Sequence, residues 1–202
     1  MATFRAIEAA GAAIAGLLDD TFVADAFSGE DLEFLVIDGG DFDGGLPSGA
    51  GIFVYRIQVN GGRRHPSGNV DLTGKRDLPK LPVDVHLLIV VSVGNSGTKL
   101  ALAGWIMRKL EDYPVLPSGL LNRGAGDDPV FGIDETVEVN FEHVSHEELL
   151  HLWEVLGAAK FDVVLLPYVL PNLLIESTVS RTEAAAVQER LARYGRLEEA
   201  LP

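Results

Sequence analysis

The 202-residue chain contains no cysteine. That excludes a disulfide framework, a thiolate nucleophile and a cysteine zinc site, and it leaves the redox compartment open. Also missing is any apolar run approaching the ~18 residues of a membrane-spanning helix. The longest clean run is LLIVVSV, Leu87 to Val93, and the second, VVLLPYVLPNLLI, is interrupted by Pro167 and Pro171. The first twenty residues, MATFRAIEAAGAAIAGLLDD, lack a basic region followed by a cleavage site, so no export signal is legible. Positive charge is scarce as well, with 16 Lys and Arg against 30 Asp and Glu and a formal net charge of −14. Nucleic-acid binders neutralise many phosphates with Lys and Arg, so nucleic acid is not an expected partner.

What is present describes a globular domain. A hydrophobic content of 47% is enough for a sizeable core. FRAIEAAGAAIAGLL reads as an amphipathic helix, with Phe4, Ile7, Ile14 and Leu18 near a 3.6-residue period and a small-residue face between them. EFLVI (33–37) and IFVYRIQV (52–59) read as strands, and the glycine-rich DGGDFDGGLPSGAG between them as loop. VDVHLLIVVSV (83–93) alternates at its start and then becomes uniformly apolar, as expected of a strand covered on both faces. TKLALAGWIMRKLEDY follows as a helix whose face is marked by Leu100, Ala103, Met107 and Leu110. ETVEVNFEHV (135–144) alternates in part. In SHEELLHLWEVLG, Ser145 and Glu148 form a capping box and Gly157 stands at the C-terminal cap. FDVVLLPYVL (161–170) is a further strand, and the charged segment from Ser180 onward is a helical tail. The fold class expected is α/β: a single domain, 1–178, with a mixed sheet of about five strands flanked by helices, and a C-terminal helical extension, 179–202.

Several motifs fail on spacing. HEELLH places its histidines at 146 and 151, about 140° apart on a helix, whereas a zinc-protease helix needs them four residues apart. In VGNSGTK only two residues separate Gly94 from Gly97, and Thr98 precedes Lys99, so it is a turn and not a phosphate loop. DGGDFDGG offers Asp38, Asp41 and Asp43 but has Gly45 where a third calcium ligand would stand, which favours a solvated acidic loop. No serine, histidine and aspartate form a recognisable arrangement. No catalytic residue, metal or cofactor is assigned. Trp105 and Trp153 lie on helices and are expected in the core.

Charge distribution is the informative feature. YRIQVNGGRRHPSGNVDLTGKRDLPK, residues 55–80, has six basic side chains, Arg56, Arg63, Arg64, Lys75, Arg76 and Lys80, against Asp71 and Asp77. The rest of the chain has ten basic side chains against twenty-eight acidic ones. So long a connection between strands is usually functional or disordered. The terminal segment carries a second feature, an apolar stripe of Val187, Leu191 and Tyr194 on an otherwise charged stretch, which implies docking on a partner or on its own domain.

Four segments in order carry a resemblance: GIFVYRIQVNGGRRH, LPKLPVDVHLLIVVSV, LAGWIMRKLEDYPVLPSGLL and VNFEHVSHEELLHLWEVLGAAKFDVVLLPYVL. Together they resemble the tail-terminator, or cap, family of extracellular contractile injection systems, over about residues 3 to 175. The resemblance implies a non-enzymatic subunit without cofactors. Its partners would be itself, as a hexameric ring, the inner tube protein and the sheath protein. The ring would end tube polymerisation and tie the tube to the last sheath disc. The subunit would be cytoplasmic at assembly and then part of a particle open to release. In such a ring the basic segment can face an acidic surface of the next subunit or of the sheath, which sets register and partner choice; its alternative is a set of solubilising loop charges. Two other functions fit less of the sequence: an assembly adaptor or chaperone acting as monomer or dimer, and a hydrolase using the acidic glycine-rich loop with a metal.

Overall fold

A computed structural model of the chain describes residues 2–27, 29–64, 78–125, 128–157 and 162–177. Its centre is a five-stranded sheet in the order β1-β2-β3-β7-β6. The strands are β1 (Glu33–Ile37), β2 (Gly49–Val59), β3 (Leu81–Ser92), β6 (Asn140–Phe141) and β7 (Val164–Ile175). β1 lies parallel to β2, and all other pairings are antiparallel, which gives the expected mixed sheet. β4 (Val115–Pro117) and β5 (Thr136–Glu138) form a separate two-stranded ribbon.

Two layers of unequal depth cover the sheet. On one face lie α1 (Ala6–Thr21) and α3 (Ser96–Asp112), and the principal core joins Ile14 and Leu18 of α1 to Leu102 and Ile106 of α3 over Ile52, Val85, Leu87 and Ile89. The alternate residues of the strands, Leu88 and Val90 among them, point the other way and pack under α5 (His146–Val155) with Phe42 and Trp153. This period of two is the reason β3 reads as a continuous apolar run: seven consecutive side chains, Val85 to Val91, are buried on one face or the other.

Several local features differ from the sequence expectation. The glycine-rich loop after β1 contains one turn of helix, α2 (Asp41–Gly44), whose Phe42 plugs the smaller core. The buried stripe of α3 is Lys99, Leu102, Ala103, Ile106 and Leu110, while Leu100 and Met107 are exposed. In α1 the alanines Ala6, Ala10 and Ala13 turn inward and Phe4 lies outside the helix in solvent. PVLPSGLL forms β4 and the short helix α4 (Ser118–Leu121), and the 135–144 stretch divides between the ribbon and the main sheet.

β7 runs through both prolines. The register passes from Val83↔Leu173 to Val85↔Leu170, so Pro171 and Asn172 together face Asp84 in a bulge. Asn172 takes a positive φ of 56°, and its backbone N–H donates to Asp84 Oδ1 at 2.8 Å. A bulge tolerates a proline that a regular ladder would reject. Trp105 sits half-buried among Phe22, Phe27 and Phe34, with ring centroids 5.9–6.0 Å away, and Trp153 packs partly buried on the smaller core.

Candidate functional site: the basic hairpin and the polar cluster at its base

Of the six basic residues, the four that the structure describes fall into two groups. Arg56 and Lys80 are held inside the subunit. Lys80 Nζ lies 2.8 Å from Glu176 and 3.8 Å from Glu135. Arg63 and Arg64 are exposed where β2 leaves the sheet, and among the described residues no ion pair holds either. Lys75 and Arg76 lie outside the described residues, as do Val187, Leu191 and Tyr194. The turn that carries Arg63 is anchored: its N–H donates to Asn60 Oδ1 at 3.1 Å, and Asn60 Nδ2 donates to Asp84 at 3.2 Å.

Arg56 belongs to a cluster that joins β2 and β3 to Glu142, the residue after β6, and reaches α5. Tyr55 is the extra residue of a bulge between Val54 and Arg56, so Tyr55 and Arg56 come together opposite His86. His86 is buried at 8% exposure, and its Nδ1 lies 2.6 Å from Glu142 Oε1. Arg56 Nη2 lies against the same ring, 3.3 Å from Nδ1 and 3.2 Å from Nε2. Tyr55 donates its hydroxyl to Glu142 Oε2 at 3.0 Å, and Arg56 also reaches Glu148 at 3.6 Å. Burial first, and the Glu142 hydrogen bond second, hold the Tyr55 hydroxyl protonated well above the ordinary tyrosine range. Across the sheet, burial and then the nearby Glu111 push Tyr168 up to about 12.

Both oxygens of Glu142 and both ring nitrogens of His86 are engaged by protein groups. The cluster therefore works as a clamp: it fastens the two-residue strand β6 and the start of α5 to the base of the basic hairpin. Glu142→Ala would take the shared acceptor from Tyr55 and His86 and leave Arg56 with the Glu148 carboxylate alone. A loss of about 2–3 kcal/mol in unfolding free energy is expected in urea titration, with Glu142→Gln intermediate. A loss below about 0.5 kcal/mol, the size of an ordinary surface substitution, would contradict the clamp.

The other motifs are spent on their own backbone. Asn95 Oδ1 accepts from Gly97 N and Thr98 N at 2.8 and 3.1 Å, so it caps α3 with the amides a phosphate would need. Lys99 is buried and turned onto Asp162, its Nζ 2.6 Å from the carboxylate. Asp41 accepts from Asp38 N, and Asp38 accepts from Gly40 N, so these carboxylates close a turn. Ser145 Oγ accepts from Glu148 N at 3.2 Å and caps α5, while the Glu148 carboxylate is turned toward Arg56.

Residues 10–189 match the Pvc16 N-terminal domain family, and the chain belongs to that family. The fold is similar to that of the sheath/tube terminator of PVC, an extracellular contractile injection system, solved by cryo-EM in the extended state. The TM-score is 0.52 at 16% sequence identity, over 98% of this chain and 66% of that one. No curated protein sequence matches the chain. No helix among the described residues is long and apolar enough to cross a membrane.

Proposed function

We propose that this chain is the terminator of a contractile injection system. Six copies close into a ring on the distal end of the inner tube, stop its polymerisation and tie it to the last sheath disc. The role is structural, with no turnover and no cofactor; assembly takes place in the cytoplasm and the finished particle is the form open to release. Membership in the Pvc16 N-terminal domain family over residues 10–189 carries this reading. The geometry supports it in two ways. A subunit of net charge −14 that displays Arg63 and Arg64 on an anchored turn carries both signs of charge, which supports charge pairing between neighbouring copies in a head-to-tail ring. The clamp at the hairpin base fixes that display before binding, which lowers the ordering cost of association.

Light scattering of the purified protein, alone and with tube ends, tests the role. The expected mass is that of six 21.7-kDa subunits, formed either in free solution or on tube ends only. A persistent monomer or dimer that ignores tubes would overturn it and leave an assembly adaptor as the function.

A further inference from the structure

A groove of about 220 Å³ runs along the outer side of α1, between Ala9, Ala12 and Gly16 on one wall and Leu120, Leu121 and Val130 on the other. Its rim charges are already paired, Arg5 with Glu8 at 3.4 Å and Arg123 with Asp20. The groove therefore presents apolar surface with little left to recognise an anion. It is also smaller than the roughly 300–1,000 Å³ typical of small-molecule sites. What fits is a short row of apolar side chains.

The chain leaves the described domain beside this groove. Glu176 N donates to Ala2 O at 2.9 Å, and Thr3 N donates to Val130 O at 3.0 Å, so the end of β7 lies at the Arg5–Val130 end of the groove. From Ser177 to Val187 the chain can extend by ~33 Å. On a helix, Val187, Leu191 and Tyr194 would span about 10 Å of one face, and the α1 wall from Arg5 to Gly16 is about 16 Å long. The alanine and glycine wall permits close approach of a second helix, because interaxial distance follows the side chains at the contact.

We propose that Val187, Leu191 and Tyr194 of the C-terminal extension, 179–202, dock in the α1 groove of their own subunit. The proposal does not depend on the terminator role. It assigns the apolar stripe to the chain's own domain, and the extension then returns along α1.

The absence of cysteine makes the test clean. Ala12 is exposed, so Ala12→Cys leaves the core untouched. In the full 202-residue protein, Ala12→Cys with Leu191→Cys should form an intramolecular disulfide under mild oxidation, at monomer mass and at least tenfold faster than Ala12→Cys with Glu189→Cys. Glu189 stands about 160–200° from Val187 and Leu191 on a helix. Disulfide closure needs Cα atoms within about 7 Å, so it reports docking and not mere tethering. Equal rates for the two pairs would overturn the proposal. Dimeric cross-links would also overturn it and give the groove to a second copy.

Discussion

Gly49→Ala should leave the chain largely unfolded or cost it roughly 4 kcal/mol, within the 5–15 kcal/mol that holds a typical domain together. Gly49 opens β2 at φ 145°, and a Cβ placed there would stand 2.1 Å from the carbonyl oxygen of Glu33 and 2.6 Å from its nitrogen. Those atoms are backbone and belong to the partner residue in the parallel β1–β2 pair, so no rotamer change relieves the overlap. β1 would have to move, and with it Phe34 and Ile37, which enter the two cores on opposite faces. Gly51→Ala is the milder comparison. Its Cβ meets only the side chain of Ile37, at 2.5 Å, which can shift at the expense of packing. Urea unfolding of both variants, followed by far-UV circular dichroism, should rank Gly49→Ala well below Gly51→Ala. Equal stabilities would show that β1 does not need this close approach.

The same comparison shows what the sequence conveys and what it withholds. Gly49 and Gly51 lie in a stretch that reads as loop, because six glycines among fourteen residues look like a flexible linker. Gly49 is instead where the backbone of a parallel strand comes too close for any side chain, and Gly51 is where the Ile37 side chain packs, and both depend on the pairing of β2 with β1. The long apolar segments were legible: β3 holds the densest burial, and Ser145 caps α5 as its spacing requires. The passage of β7 through Pro171 was not legible, because it depends on Asp84, across the sheet, accepting the Asn172 amide. Nor was the buried face of α3, since Leu100 and Leu102 are the same residue type and only tertiary contacts choose between them.

The polar clamp was hidden for a related reason, since Tyr55 and Glu142 are 87 residues apart and share no local spacing. One signal does exist. Asp84 and His86 place two polar groups on one face of an otherwise apolar strand, and a buried polar group implies a partner. That pattern identifies where to look, though not which carboxylate answers. Its consequence is to divide the basic segment: Arg56 and Lys80 hold the subunit together, and Arg63 and Arg64 are exposed without an ion pair among the described residues.

Charge reversal at Arg63, Arg64, Lys75 and Arg76 should abolish ring formation while leaving the fold intact. Four cations become four anions, so the formal net charge of each subunit moves from −14 to −22. Arg63 and Arg64 are exposed, and exposed substitutions away from packed contacts change stability by about 0.5 kcal/mol or less, so circular dichroism and the unfolding midpoint of the Arg63→Glu, Arg64→Glu pair should stay near those of the parent. Association is different, because a like-charge surface set against an acidic neighbour costs several kcal/mol, and each ~1.4 kcal/mol weakens binding tenfold. The proposed ring of the parent should in turn weaken as salt rises, since exposed charges are screened beyond about 10 Å at 0.1 M ionic strength. Arg63→Glu with Arg64→Glu alone should show a reduced form of the same defect. Arg56→Glu should instead lower stability, because Arg56 contacts His86, Glu142 and Glu148 within its own subunit. Rings that assemble normally and still cap tubes after all four reversals would return these residues to the role of solubilising loop charges. They would also shift the ring contact to an apolar surface, for which the exposed Leu35 and Val36 on the edge strand β1 are the first residues to mutate.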